Sequence, residues 1–216
     1  MDFTQIKTWL FDLDGTLIDS NSAVVECMKK TALDMGGEVT DEQVLRSSFG
    51  RGLMNTIGPW VPAGKVDEAL KKYLENFPRY VQANLRMYQG ALELLELLKS
   101  RQMPMAVITG NMQAECDGIY EKLDLAKYFP VTICADTIPF QKPSPEPVLE
   151  ALKRLGQQLE GAVFIGDSEH DIRAGRLAGV ITIAVRGGSS SEERLLEANP
   201  DFMFDKIGEV YEVLLS

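Results

Sequence analysis

Six short apolar runs, at residues 8–11, 105–108, 131–134, 162–165, 180–185 and 202–204, constrain this chain more than any other feature. Each is nearly continuous in hydrophobicity and rich in branched or aromatic side chains. That is the pattern of a strand buried on both faces. Stretches with helical patterning separate the later runs, at residues 112–123, 145–155, 171–178 and 192–198. Alternation of strand and helix predicts an α/β fold, a doubly wound, Rossmann-like parallel sheet with helices on both sides.

The first connection breaks this rhythm. Residues 12–104 lie between the first two runs, whereas a crossover needs only a dozen residues or so. The intervening segment reads as helical. Residues 23–35 form one expected helix, and Thr40 with Gln43 resembles a capping box for a second. Val66, Ala69, Leu70, Tyr73, Leu74 and Phe77 fall on one face of a third, which Pro78 is expected to kink or end. A last helix over 91–100 returns the chain to the sheet. The expected division is therefore a core of residues 1–16 plus 86–216, with a small all-helical cap, residues 17–85, inserted after the first strand.

Composition narrows the function. The 216 residues carry 22 Lys and Arg against 32 Asp and Glu, a net charge of −10, and no basic cluster stands out. The expectation is no nucleic-acid partner and no anionic membrane. An anionic substrate needs local positive charge to overcome this field, and a bound divalent cation supplies it. The 3 cysteines show no CxxC spacing, which fits a reduced, cytoplasmic protein. The first residues lack a signal-peptide pattern, and no apolar run reaches about 18 residues. Oligomeric state is not legible.

Polar residues gather where the expected strands end: Asp12 and Asp14 after the first, Thr109 after the second, Asp136 after the third, Asp167 after the fourth. In open parallel sheets ligands bind at that edge. Clustered carboxylates repel unless a cation joins them, and all-oxygen ligands suit a hard ion such as Mg²⁺. A calcium loop starting at Asp12 would need Glu at its twelfth position, which is Ala23.

The segment Asp12-Leu13-Asp14-Gly15-Thr16-Leu17 resembles the first motif of the haloacid-dehalogenase (HAD) superfamily, in its phosphatase branch. Thr109-Gly110-Asn111 resembles the second motif, Lys142-Pro143 the third, and Gly166-Asp167 through Asp171 the fourth. The resemblance spans the chain and is nearest to the phosphoglycolate-phosphatase-like group with a helical cap. It implies an Mg²⁺-dependent phosphatase acting on a small phosphorylated metabolite, phosphoglycolate-like or a sugar phosphate, through a phospho-aspartyl intermediate. Asp12 is then the nucleophile, Asp14 the acid and base, and Lys142 the charge partner. Asp12, the Asp14 carbonyl, Asp167 and Asp171 would surround the metal. Thr109 and Gly110 would hold phosphate oxygens. The group often has Asn directly after Thr109; here Gly110 precedes Asn111, which leaves the side chain acting at that point open.

Arg51, between Gly50 and Gly52, is a candidate substrate contact from the cap, or a solvated turn residue. His170, the single histidine, is expected at the surface or behind the metal ligands. Asp136 either orients Lys142 or caps a loop. Two rival activities share the family: a phosphomutase, whose cap-helix His is absent from residues 20–26, and a dehalogenase, which would lack Asp14. A non-enzymatic regulator that binds phosphometabolites would be expected to have lost Asp12, Asp14, Lys142 or Asp167.

Overall fold

The computed structural model describes residues 3–46 and 53–215. Arg51 and its flanking glycines lie outside the described residues. The main sheet contains β1 (Thr8–Phe11), β4 (Met105–Ile108), β5 (Val131–Ile133), β6 (Ala162–Gly166), β7 (Ile181–Val185) and β8 (Phe202–Phe204), in the order β5-β4-β1-β6-β7-β8. Every pairing in it is parallel. The core strands follow the expected runs to within a residue at either end. Alternate side chains of β1 point to opposite faces, as the pleat requires. Trp9 and Phe11 enter one buried cluster and Leu10 the other. Helix α5 (Ala91–Ser100) covers the first face. Helices α7 (Glu146–Leu155) and α8 (Glu169–Ala178) cover the second.

Register decides where the strands end. Phe11 sits opposite Val107 on one side and Ile165 on the other. The residues after β1, β4 and β6 therefore emerge side by side. The chain first builds outward from β1 through β4 and β5, then returns to lay β6, β7 and β8 on the other flank. The carboxyl edge beside β1 is the crevice that such a reversal opens.

The insertion holds α1 (Asn21–Asp34), α2 (Glu42–Arg46), α3 (Leu53–Ile57) and α4 (Val66–Asn84). Its core forms where Ala69, Tyr73 and Phe77 of α4 meet the buried face of α1, with the Tyr73 and Phe77 rings 5.3 Å apart. Fully burying a side chain such as Phe77 contributes about 1.5–3 kcal/mol. One expectation is corrected here and another narrowed. The cap of α2 is Asp41, whose Oδ1 accepts from the amides of Gln43 at 2.9 Å and Val44 at 3.1 Å, so Thr40 is not the capping residue. Pro78 lies inside α4 without ending it. Its ring is on the exposed face, where water can satisfy the carbonyl it leaves unpaired, while Tyr73 and Phe77 hold the helix from the buried side.

The insertion leaves and rejoins the core through a feature the hydrophobic pattern did not announce. Residues β2 (Ile18–Asp19) and β3 (Arg86–Met87) pair antiparallel, and the amide of Tyr88 donates to the Leu17 carbonyl at 3.0 Å. Two-residue strands carry no detectable periodicity. Helix α6 (Gln113–Leu123) matches the expected helix over 112–123 to within a residue; absent from the sequence reading was α10 (Ile207–Leu215), which buries Ile207 and Val210. A further short helix, α9 (Glu192–Glu197), precedes β8. No helix among the described residues is long and apolar enough to cross a membrane.

Candidate active site

The turn after β1 is built to place two carboxylates at the crevice. The amide of Asp12 donates to the Ile165 carbonyl at 2.8 Å, which anchors the strand end to β6. The chain then folds back on itself: Leu17 and Ile18 both donate to the Leu13 carbonyl, and Gly15 donates to that of Ile18. Gly15 takes a φ of +85°, and a Cβ there would stand 2.5 Å from Oδ2 of Asp167. Only glycine combines that backbone with that approach.

Asp12 and Asp14 end in different surroundings. Asp12 meets Lys142, whose Nζ lies 2.6 Å from Asp12 Oδ1 and 2.6 Å from Asp171 Oδ1, and donates to the Ile108 carbonyl at 3.0 Å. Asp14 instead accepts from the Ser20 hydroxyl and, at 2.5 Å, from Nδ2 of Asn111. The backbone of Asn111 is itself fixed, its amide donating to Thr109 Oγ1 at 3.1 Å. The inserted Gly110 thus puts Asn111, one place later than the family pattern, onto Asp14.

Asp167 and Asp171 are held by their own partners. Asp167 accepts from the Thr16 hydroxyl at 3.2 Å, from the Ser189 amide at 2.5 Å and from the Ser189 hydroxyl at 2.8 Å. Asp171 closes a capping box at the start of α8, accepting from the Ser168 amide at 3.0 Å and hydroxyl at 2.5 Å. Carboxylate oxygens of Asp12, Asp167 and Asp171 all lie within 4.8 Å of one another. The Asp14 carboxylate is not in this group. Any share it has in a metal site comes from its backbone carbonyl.

Charge in this crevice is unbalanced. Burial raises Asp12 well above the usual carboxylate range against the pull of Lys142, and Asp171 and Asp167 raise it further. Burial, with Asp171, lifts Asp167 to about 6. Burial also raises Asp14, which Ser20 and Asn111 partly offset. Lys142 loses hydration, but Asp12 and Asp171 outweigh that loss and hold its ammonium above its ordinary range. One lysine faces three carboxylates of the trio, so the donor set fits a hard divalent cation.

Above the trio opens a cleft of about 750 Å³, solvent-open space included. Thr109, Gly110 and Asn111 line it, as do residues of the helical insertion. Asp12, Asp14, Thr109, Gly110, Asn111, Lys142, Asp167 and Asp171 are therefore brought together. His170 is not among the lining residues; its Nε2 is 3.8 Å from Glu169 on the half-exposed side of α8. Asp136 accepts from the Gln113 amide at 2.9 Å, so it caps α6 and does not orient Lys142.

Sequence reasoning missed Thr16, Ser20, Ser189 and Glu115. Ser189 had a signal: Gly187 and Gly188 follow a strand, and a Cβ on Gly188 would collide with Asp167. A glycine pair at a strand end marks a loop that approaches something closely. Glu115 looks like an ordinary first-turn acid of α6, and it does accept from the Met112 amide at 2.8 Å. Its place in the cleft comes from the packing of α4 against α6.

This arrangement of fold and site has known counterparts. The family model described as haloacid dehalogenase-like hydrolase matches residues 9–185. A pyrophosphatase, PpaX, of Bacillus pumilus is 30% identical over 216 residues, covering 99% of each chain. A phosphoglycolate phosphatase of Aquifex aeolicus is 30% identical over 213 residues, covering 97% of each. The solved structure of a haloacid dehalogenase-like family hydrolase of Streptococcus pneumoniae superimposes with a TM-score of 0.84 at 23% identity, covering 98% of this chain and 99% of that one. The chain belongs to the haloacid dehalogenase-like hydrolases, and its resemblance is to the phosphoglycolate-phosphatase-like group.

Proposed function

We propose that this phosphatase is Mg²⁺-dependent and hydrolyses a small phosphorylated metabolite, phosphoglycolate-like or a sugar phosphate, through a phosphoryl group carried on Asp12. The observation that carries the reading is the split between the two motif carboxylates. Asp12 is turned to Lys142 and the acidic trio, and Asp14 to Ser20 and Asn111. Two carboxylates two residues apart are thereby given different tasks.

An oxygen of Asp12 attacks phosphorus as the bond to the leaving oxygen breaks. Asp14, kept protonated more readily by burial, gives its proton to that oxygen, so the alcohol departs neutral. Asp14, now a carboxylate, takes a proton from water. The resulting hydroxide attacks the phosphorus of the aspartyl phosphate, and phosphate leaves with the Asp12 carboxylate restored. Lys142 stays within reach of both charges throughout. Thr109 and the amide of Gly110 hold the phosphate oxygens. Asp12, Asp167, Asp171 and the Asp14 carbonyl would hold Mg²⁺, which when bound neutralises charge on the phosphoryl group.

The helical insertion, residues 17–85, is the cap over this site, with residues 16–19 and 86–90 as hinges. Arg51 is proposed as a contact to a carboxylate or phosphate of the substrate. Phosphoryl return to a bound sugar is disfavoured because the described residues of α1 that line the cleft, Asn21, Val24 and Met28, include no histidine.

The test is phosphate release from a panel of small esters with and without Mg²⁺. Mg²⁺-dependent release that vanishes in Asp12→Ala supports the reading. No release from any ester by folded, metal-loaded protein would overturn it.

A further inference from the structure

Part of the cleft has a chemistry that the motif residues do not explain. Apart from those residues, its described lining includes Asn21, Val24, Met28, Leu53, Tyr73 and Glu115. Glu115 is 2% exposed and Tyr73 1% exposed. Tyr73 of α4 lines the cleft with it, and the Met112 amide donates to Glu115 Oε2 at 2.8 Å. That bond holds the acid to the start of α6, against which α4 packs. Lys142 is the one cation among the described residues lining the cleft, and Asp12 and Asp171 already engage it.

A leaving group that is itself an anion, such as the carboxylate of glycolate or a second phosphate, would come to rest in a wall with a buried acid and no described cation. A hydroxyl would find there an acceptor with lone pairs to spare. Sites discriminate most strongly by leaving a buried polar group unpaired or by opposing like charges. Burial raises Glu115 to about 7, so above that pH it is a carboxylate that both accepts from a hydroxyl and repels an anion.

Resting on the phosphatase reading above, we propose that Glu115 is a specificity-determining residue of the leaving-group side. It accepts a hydrogen bond from a substrate hydroxyl and turns away anionic leaving groups. The substrate class is then the phosphate monoester of an uncharged, hydroxyl-bearing alcohol. This separates the chain from what the names of its pyrophosphatase and phosphoglycolate phosphatase relatives describe.

The experiment compares kcat/KM of the Mg²⁺-loaded enzyme on glycerol 1-phosphate, glucose 6-phosphate, 2-phosphoglycolate, pyrophosphate and an aryl phosphate. The expected result is a preference of about tenfold or more for the uncharged polyol esters over both anionic ones. Glu115→Gln, checked for folding by its thermal melt, is expected to shrink that preference by about tenfold, with the change falling on KM for the anionic esters. Highest kcat/KM on phosphoglycolate or pyrophosphate in the wild type overturns the proposal even if the variant does not fold. A variant that lowers both ester classes equally also overturns it. Hydrolysis of no ester, the aryl phosphate included, would instead remove the phosphatase reading on which it rests.

Discussion

Nδ2 of Asn111 donates to Oδ2 of Asp14 at 2.5 Å, joining the ends of β4 and β1 across 97 residues of sequence. With the Ser20 hydroxyl on the other oxygen, it fixes the carboxyl proposed to transfer the proton. Asn111→Ala leaves Asp14 one partner and freedom to rotate. We expect kcat on any ester to fall about tenfold to a hundredfold, part of what general acid–base catalysis supplies, with KM little changed. Unchanged kcat would mean that Asp14 does not depend on this contact.

Metal binding should be visible in stability. Asp167 is raised from 3.8 to about 6 by burial and Asp171. A raised carboxyl binds its proton more tightly when folded, so its contribution is full below about pH 4 and lost as pH climbs through 6. Mg²⁺ competes with that proton. At a hundredfold excess over Kd it should raise the melting temperature by about 5–10 °C at pH 7.5 and do little at pH 5. Asp167→Asn should abolish the Mg²⁺ shift. A melt insensitive to Mg²⁺ at both pH values would count against the site.

Glu115 gives a second pH signature, separable from the first by mutation. Burial raises it from 4.5 to about 7. The sign is the same, so relative to Glu115→Gln the wild type should lose stability as pH rises from 4.5 to 7 and then level off. The total is roughly 3 kcal/mol at most. Denaturant melts of both proteins across that range check it; parallel curves would show that Glu115 ionises as if exposed.

Pro78 interrupts the hydrogen bonding of α4 without ending the helix. An interior proline costs roughly 3 kcal/mol relative to alanine in a helix. Pro78→Ala should therefore stabilise the protein by about 1–3 kcal/mol without altering turnover. Destabilisation would indicate that the bend itself is needed for the insertion to meet the core.

The sheet was legible because a strand buried on both faces needs a continuous apolar run, a property of a few adjacent residues. The runs at 8–11, 105–108 and 202–204 coincide with strands of the structure. The helical character of the insertion was legible from the stripe through Tyr73 and Phe77 for the same local reason. The α2 cap was misread because Thr40 and Asp41 are both competent capping residues, and the choice between them is made by how the turn is placed.

The sequence by itself determined which residue types stand at the strand ends: Asp12 and Asp14, Thr109, Lys142, Asp167 and Asp171. It could not say how they pair. Lys142 reaches Asp12 across 130 residues and Ser189 reaches Asp167 across 22, and neither separation leaves a periodic mark. Cys116 and Cys134, distant in sequence, have sulfurs 3.3 Å apart. Glu115 enters the cleft only because α4 packs on α6. Strand register and helix packing set these meetings, and both are fixed by burial summed over the whole core. Local pattern can name the candidate groups for the chemistry; only the tertiary structure decides what each one faces.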